Sequence, residues 1–104
     1  PENAAFKADY AASVGGSGPP LSMLGADAYS GVYCAAALLE AAGSNDAAAV
    51  MAASEGLTYK TATGSGTMTN RHVNKDIYLA ECKGTEFEII ETFKSVAHGE
   101  SCSV

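Results

Sequence analysis

The chain changes character at Gly56, and this change limits the folds that it can adopt. Before Gly56 the sequence is rich in alanine, the residue with the highest helix propensity, and short glycine-, serine- and proline-containing runs divide it. After Gly56, β-branched and aromatic residues alternate with polar ones, which is typical of strands. The order predicts an α/β protein in which helices come first and a C-terminal β-hairpin comes last.

Apolar spacing and capping residues locate the helices. Phe6, Tyr10 and Val14 recur every four residues and give the first helix one apolar stripe. Asp27 is the predicted N-cap of the second helix, and the run Ser44-Asn45-Asp46 is a second capping signal before the third. The predicted helices are 2–14, 28–42 and 46–54.

The strongest strand predictions are the segments 77–82 and 86–93, joined by the three residues 83–85. Alternation places Phe87, Ile89 and Phe93 on one face of the second strand, so we expect a hairpin with a buried apolar side. Two earlier segments look irregular. They are a small-residue loop over 61–66 and a polar turn region over 70–75.

Length and charge exclude several classes of protein. The 104 residues suffice for one domain or for a fragment of a larger one, and we treat 1–104 as a single unit. The net charge of −6 disfavours nucleic-acid binding, because an acidic surface repels phosphate. The alanine-rich run 32–42 is far shorter than the roughly 20 apolar residues of a membrane span.

The three cysteines, Cys34, Cys82 and Cys102, have no metal-binding spacing. Cys34 lies in an apolar helical segment, where a thiol is usually inert packing. Cys82 and Cys102 could form a disulfide if the C-terminal segment folds back on the hairpin, although the sequence does not decide this. No metal site is predicted.

The search for catalytic residues finds no complete set. The two histidines, His72 and His98, lie in polar or irregular segments, and neither follows a nucleophile motif. The glycine-rich runs lack the lysine and the strand-to-helix context of phosphate loops. The glutamates of the hairpin alternate between its two faces, which indicates a solvated acidic surface rather than a cation site. The sequence therefore predicts a protein that is not an enzyme and has no cofactor.

A resemblance to a known family rests on the order of several short segments. They are Gly25-Ala26-Asp27-Ala28-Tyr29-Ser30-Gly31-Val32-Tyr33, Leu38-Leu39-Glu40-Ala41-Ala42-Gly43-Ser44, Glu55-Gly56-Leu57-Thr58-Tyr59, Gly66-Thr67-Met68-Thr69, Asn70-Arg71-His72, Ile77-Tyr78-Leu79-Ala80-Glu81 and Glu86-Phe87-Glu88-Ile89-Ile90. Together they resemble the C-terminal part of type I periplasmic substrate-binding proteins of ABC importers. The nearest branch is that of the urea, short-chain amide and branched-chain amino acid receptors.

The resemblance implies a fragment of one lobe of a two-lobed, non-catalytic binding protein, located in the periplasm or attached at the cell surface. The implied partners are a small polar solute, the remaining lobes and an ABC permease. Self-association through exposed apolar surface is a further expectation. Asp27 and Tyr29, near the start of the second helix, are the candidate ligand contacts, because helix starts and aromatic hydroxyls suit polar ligands.

Two alternative functions stay open at this point. One is a cytoplasmic regulator that uses the same fold to sense an amide. The other is a small enzyme that uses His72 or His98.

Overall fold

The computed structural model describes residues 2–97 and 99. In chain order the elements are α1 (Glu2–Ser13), α2 (Met23–Ala42), α3 (Ala47–Ala53), β1 (Thr58–Thr61), β2 (Gly64–Thr69), β3 (His72–Lys83) and β4 (Glu86–Val96). The strands form one antiparallel sheet in the order β1-β2-β3-β4. The α/β class, with helices first and a hairpin last, is confirmed.

The long helix α2 begins five residues earlier than the predicted range 28–42, and its predicted cap is wrong. Ser22, in an extended conformation, is the N-cap, and its hydroxyl accepts a hydrogen bond from the amide of Gly25 at 3.1 Å. Asp27 therefore lies inside the helix. At the other end, Gly43 adopts a left-handed conformation (φ 59°) and closes the last turn by donating to backbone carbonyls.

The two shorter helices lie close to their predicted ranges. In α1, Phe6 is buried, whereas Tyr10 of the same stripe is half-buried. Asp46 caps α3, and its carboxylate accepts a hydrogen bond from the amide of Ala49 at 3.0 Å. The capping signal predicted for α3 is therefore present in the structure.

The predicted small-residue loop over 61–66 is wrong. Thr61 ends β1, the turn occupies only 62 and 63, and β2 begins at Gly64. Small residues here allow α2 to approach the sheet, and Ala62 is only 2% exposed. The amide of Ala62 donates to the Ser30 hydroxyl of α2 at 2.9 Å, so the helix supplies a hydrogen bond to this turn.

The polar turn predicted over 70–75 is also shorter than expected. Asn70 and Arg71 both have left-handed φ values (51° and 63°), and they join β2 directly to β3 because Thr69 pairs with His72. Asn tolerates this conformation well, and such a two-residue turn matches the twist of a hairpin. As a result β3 begins at residue 72, not at the predicted residue 77.

The last hairpin is longer than the predicted strands 77–82 and 86–93, and it has a two-residue turn. Lys83 pairs with Glu86, so only Gly84 (φ 66°) and Thr85 form the connection. A register shift between Leu79 and Ala80 inserts one extra residue in β4. The prediction that Phe87, Ile89 and Phe93 share a face is therefore wrong, because the extra residue reverses the alternation before Phe93.

The expected buried side of this hairpin is absent, since every residue of β4 is exposed. In the described part of the chain the buried residues are few, and they belong to α1, to the end of α3, to β1 and the turn after it, and to β2. They are Phe6, Ser54, Thr61, Ala62 and Gly66.

Candidate functional site

A cavity of about 670 Å³ lies between one face of α2 and the strands β1 and β3. Its position follows from the helical and strand periodicities, which direct every third or fourth residue of α2 and alternate residues of β3 toward each other. The wall is mainly apolar. It includes Met23, Ala26, Gly31, Cys34, Leu38, Val73 and Ile77.

An ion pair lies at the edge of this cavity. The Asp27 carboxylate of α2 and the Lys75 ammonium of β3 are 3.1 Å apart, and their side chains are 53% and 41% exposed. A pair this exposed contributes about 0–1 kcal/mol, because water and salt screen it. A polar molecule that enters the cavity can therefore separate the two charges with little loss of free energy.

Two hydroxyl groups that line the cavity, those of Ser30 and Tyr78, form hydrogen bonds with the backbone. Ser30 donates to the carbonyl of Ala26 at 2.8 Å while it accepts from the amide of Ala62, which joins α2 to the β1–β2 turn. On the opposite wall the Tyr78 hydroxyl donates to the carbonyl of Thr63 at 3.4 Å. The bond between Ser30 and Ala62 therefore joins the helical wall of the cavity to the sheet.

Cys34, one of the residues lining the cavity, makes a sulfur–sulfur contact with β2. The half-buried Cys34 thiol lies 3.9 Å from the thioether sulfur of Met68 in β2. Burial, and secondarily the neighbouring Cys34, raise the pKa of Tyr59 to about 12. The Tyr59 phenol is therefore neutral across the physiological range and serves as an apolar wall with a polar tip.

Tyr29 lies on a different face of α2, where it contacts α1 and β1. Its ring centroid is 4.8 Å from that of Phe6, and its hydroxyl donates to the Asp9 carboxylate at 3.0 Å. The Lys60 ammonium lies 3.4 Å from the same hydroxyl and 4.7 Å from the centroid of the Tyr33 ring. We call Asp9, Tyr29, Tyr33 and Lys60 the tyrosine cluster.

The hydrogen bonds of the tyrosine cluster shift its ionisation. The hydrogen bond with Tyr33 raises the pKa of Tyr29, and the same bond, together with the charge of Lys60, lowers the pKa of Tyr33. The hydrogen bond to Tyr29 raises the pKa of Lys60. The Lys60 ammonium lies 5.8 Å from the centroid of the Tyr29 ring and 4.7 Å from that of Tyr33, which is a cation–π arrangement.

The structure separates the two predicted ligand residues. Asp27 lies at the edge of the cavity, whereas Tyr29 contributes to the tyrosine cluster on another side of α2. The sequence pattern does not identify Lys75, the partner of Asp27, because it predicts a polar turn over residues 70–75. The alternation of Val73, Lys75 and Ile77 is the strand signal that identifies it.

The remaining sequence candidates add no further site. The Nδ1 atom of His72 lies 2.8 Å from the carbonyl oxygen of Asn70, where it supports the β2–β3 turn. His98 and Cys102 lie outside the described residues, and so does the predicted disulfide between Cys82 and Cys102.

Residues 2–97 and 99 contain no group of three or more histidine, cysteine or acidic side chains placed to hold a metal ion. None of the helices formed by these residues combines the length and apolarity needed to span a bilayer.

Comparison with known proteins gives one match. A family model described as periplasmic binding protein matches residues 1–86. The searches of curated proteins and of solved structures gave no match. The three helices and the antiparallel sheet are consistent with an α/β part of a lobe of such a protein. Because the match covers most of its length, the chain belongs to the periplasmic binding protein family.

Proposed function

We propose that this chain is part of the substrate-binding component of an ABC transporter, and that it takes part in binding a small polar solute without altering it. The solute class that we propose is urea, a short-chain amide or a branched-chain amino acid. The observation that carries the proposal is the family match over residues 1–86.

The chemistry of the cavity supports this solute class. The Asp27 carboxylate can accept hydrogen bonds from an amide or ammonium group, and the Lys75 ammonium can donate to a carbonyl or carboxylate oxygen. The apolar wall beside them suits an aliphatic group. A solute with both polar functions would exchange the exposed Asp27–Lys75 pair for two new charge-assisted hydrogen bonds.

Tyr29 is proposed as a second, separate ligand contact. An α-helix is about 10 Å across, so one small solute does not reach both the cavity and the tyrosine cluster across α2. Asp27 and Tyr29 must therefore be tested by separate variants.

The proposed setting follows from the family. We propose a location in the periplasm or at the cell surface, with an ABC permease and the remaining lobes of the binding protein as partners. The exposed apolar residues of α2 and of the last hairpin support a role for further lobes, because such surface is normally covered in a working protein.

Calorimetry tests the proposal. The complete gene product that contains this chain is titrated with urea, acetamide and leucine, and we expect it to bind one of the three. We expect the chain alone to bind that solute weakly or not at all, because a cleft between lobes needs both lobes. Asp27→Asn should weaken binding by about tenfold or more, since it removes a charge-assisted hydrogen bond.

The matched control is Glu40→Gln, which makes the same change of charge on an exposed residue of α2 that does not line the cavity. It should leave the affinity unchanged. Tyr29→Phe is measured in the same series to assign the tyrosine cluster. Absence of binding to all three solutes contradicts the proposed solute class, and equal effects of Asp27→Asn and Glu40→Gln contradict the assignment of Asp27.

A further inference from the structure

In the tyrosine cluster, donor groups from two elements are gathered beside a carboxylate from a third. The Lys60 ammonium lies 3.4 Å from the Tyr29 hydroxyl oxygen, and the Tyr33 hydroxyl lies 3.3 Å from the same atom. Tyr29 in turn donates to the Asp9 carboxylate at 3.0 Å. The donor groups belong to α2 and β1, whereas the carboxylate belongs to α1.

The donor groups are positioned by contacts that do not involve α1. The rings of Tyr29 and Tyr33, about one helical turn apart on α2, have centroids separated by 5.0 Å. The Lys60 ammonium lies 4.7 Å from the centroid of the Tyr33 ring, which holds it at the cluster. Hydroxyl and ammonium groups are side-chain donors that bind carboxylates in proteins. The three residues are therefore arranged to bind a carboxylate whether or not Asp9 supplies it.

A single buried side chain anchors α1. Of the residues of this helix only Phe6 is buried, and its ring packs on that of Tyr29, with the centroids 4.8 Å apart. The connection that follows α1 contains Gly15 and Gly16, which have left-handed φ values of 62° and 78° and no atoms crowding them. Because glycine adopts many backbone conformations, this connection allows α1 to shift relative to α2.

Space for a ligand lies beside the cluster. A cavity of about 550 Å³ has the sheet on one side and α1 on the other, and its wall includes Glu2, Ala5, Thr58, Lys60 and Ser65. Lys60 thus belongs both to this cavity and to the tyrosine cluster. A shift of α1 that takes Asp9 away from Tyr29 also takes away Glu2, the acidic residue of this wall. A small ligand can then bring its own carboxylate to Lys60 and Tyr29.

We propose that Tyr29, Tyr33 and Lys60 form a carboxylate-binding subsite, and that Asp9 is an internal competitor that occupies it until the carboxylate of a ligand replaces it. The exchange breaks the hydrogen bond between Tyr29 and Asp9 and forms an equivalent bond to the ligand. A group tethered by a short connection competes at an effective concentration of about millimolar, so the unaltered chain should bind a free carboxylate only weakly. This inference rests on the proposed function in one respect, because it takes Tyr29 to be a ligand contact.

Titration of the full chain with acetate tests the subsite. The amide NMR signals of Tyr29, Tyr33 and Lys60 are followed, and sodium chloride at the same ionic strength is the reference. Asp9→Ala should bind acetate at least about tenfold more tightly than the unaltered chain, because no tethered carboxylate then competes. Glu40→Ala is the matched control, since it removes the same charge from an exposed residue of α2, and it should leave the affinity for acetate unchanged.

A second variant separates competition from a merely structural role of Asp9. Lys60→Met, introduced together with Asp9→Ala, should abolish the gain in affinity, and circular dichroism checks that each variant is folded. If Asp9 only fastened α1, its removal would not create acetate binding that depends on Lys60.

Two results overturn the inference. One is an affinity of Asp9→Ala for acetate no higher than that of the unaltered chain or of Glu40→Ala, and the other is a gain that persists with Lys60→Met. The proposed function fails by a different result, the absence of binding of urea, acetamide and leucine to the complete gene product, so the two failures are distinguishable.

Discussion

At the scale of single residues, Gly66 of β2 is packed closely against the side chains of its neighbours. A Cβ atom at this position would lie 2.8 Å from a methyl group of Val73 and 3.4 Å from the Tyr59 ring. Val73 is β-branched and has little freedom to rotate away. The absence of a side chain at residue 66 is what allows β1, β2 and β3 to pack closely beside the cavity.

Gly66→Ala is therefore expected to lower the free energy of unfolding by about 1–3 kcal/mol, the usual cost of overpacking. Gly31→Ala is the matched control. A Cβ at Gly31 meets nothing within 4 Å, and the residue is within α2, so the change should raise stability by about 0.5–1 kcal/mol. Urea denaturation measures both, and a Gly66→Ala variant as stable as the unaltered chain would contradict the packing described here.

Tyr59 makes the stability of the chain depend on alkaline pH. Its pKa in the folded chain is about 12, above the ordinary value of 10.0, because burial disfavours the phenolate. The stabilisation from the neutral phenol is complete below pH 10.0 and is lost as the pH rises through about 12. Tyr59→Phe should remove the absorbance transition near pH 12 in a tyrosine titration, and persistence of that transition in the variant would refute the assignment.

Capping shows what single residues in the sequence could and could not predict. The run Ser44-Asn45-Asp46 predicts a cap because an alanine-rich helical segment follows at once, and Asp46 of that run caps α3. Asp27 gives the same local signal, but Ser22 caps the helix and Asp27 pairs with Lys75, 48 positions along the chain. A contact between residues so far apart depends on tertiary structure, which local propensity does not contain.

At the scale of elements, the turn between β2 and β3 carries backbone strain at Arg71. A non-glycine residue with a backbone φ of 63° is about 1–2 kcal/mol less stable than one in the usual conformations. For a two-residue turn of this kind, Asn-Gly is the favoured pair. Arg71→Gly should therefore raise the free energy of unfolding by about 0.5–1 kcal/mol.

Arg71→Ala is the control for this turn, because it removes the same side chain but keeps the strained φ. Thermal denaturation should show a gain in stability for Arg71→Gly alone. An equal gain for both variants would mean that the side chain, and not the backbone, is responsible.

The elements that the sequence predicted best are those with long runs of one periodicity. The helices and the hairpin strands were located, whereas β1 and β2 were only partly recognised, because Gly64, Ser65 and Gly66 have low strand propensity. That segment is a strand because β1 and β3 flank it and Ala62 bonds to α2. The cavity cannot be predicted from local propensity either, because its walls come from α2, β1 and β3, which are far apart in the sequence.

At the scale of the whole molecule, the structure is open. Its radius of gyration is 15.8 Å, whereas a compact domain of this length has about 13 Å. The exposed apolar residues lie on α2, α3 and the last hairpin, and Met23, Leu24, Val32 and Phe87 are all more than 70% exposed. Lobes of a larger binding protein, or a second copy of the chain, would reduce this exposure.

An open native state has a measurable consequence for unfolding. The urea m-value scales with the surface exposed on unfolding, and the native chain already exposes 7257 Å². We expect the m-value of the dilute monomer to be roughly a fifth below that of compact domains of the same length. An m-value typical of compact domains would show that the chain buries more surface in solution than the structure does.

The chain belongs to the periplasmic binding protein family, and our main proposal is that it takes part in binding a small solute without altering it. The most direct test is equilibrium dialysis of the complete gene product against the solute identified by calorimetry, followed by mass spectrometry of the released solute. We expect about one solute retained per protein molecule, with its mass unaltered after prolonged incubation. Conversion of the solute into a product of different mass would contradict it, and so would the absence of any retained solute.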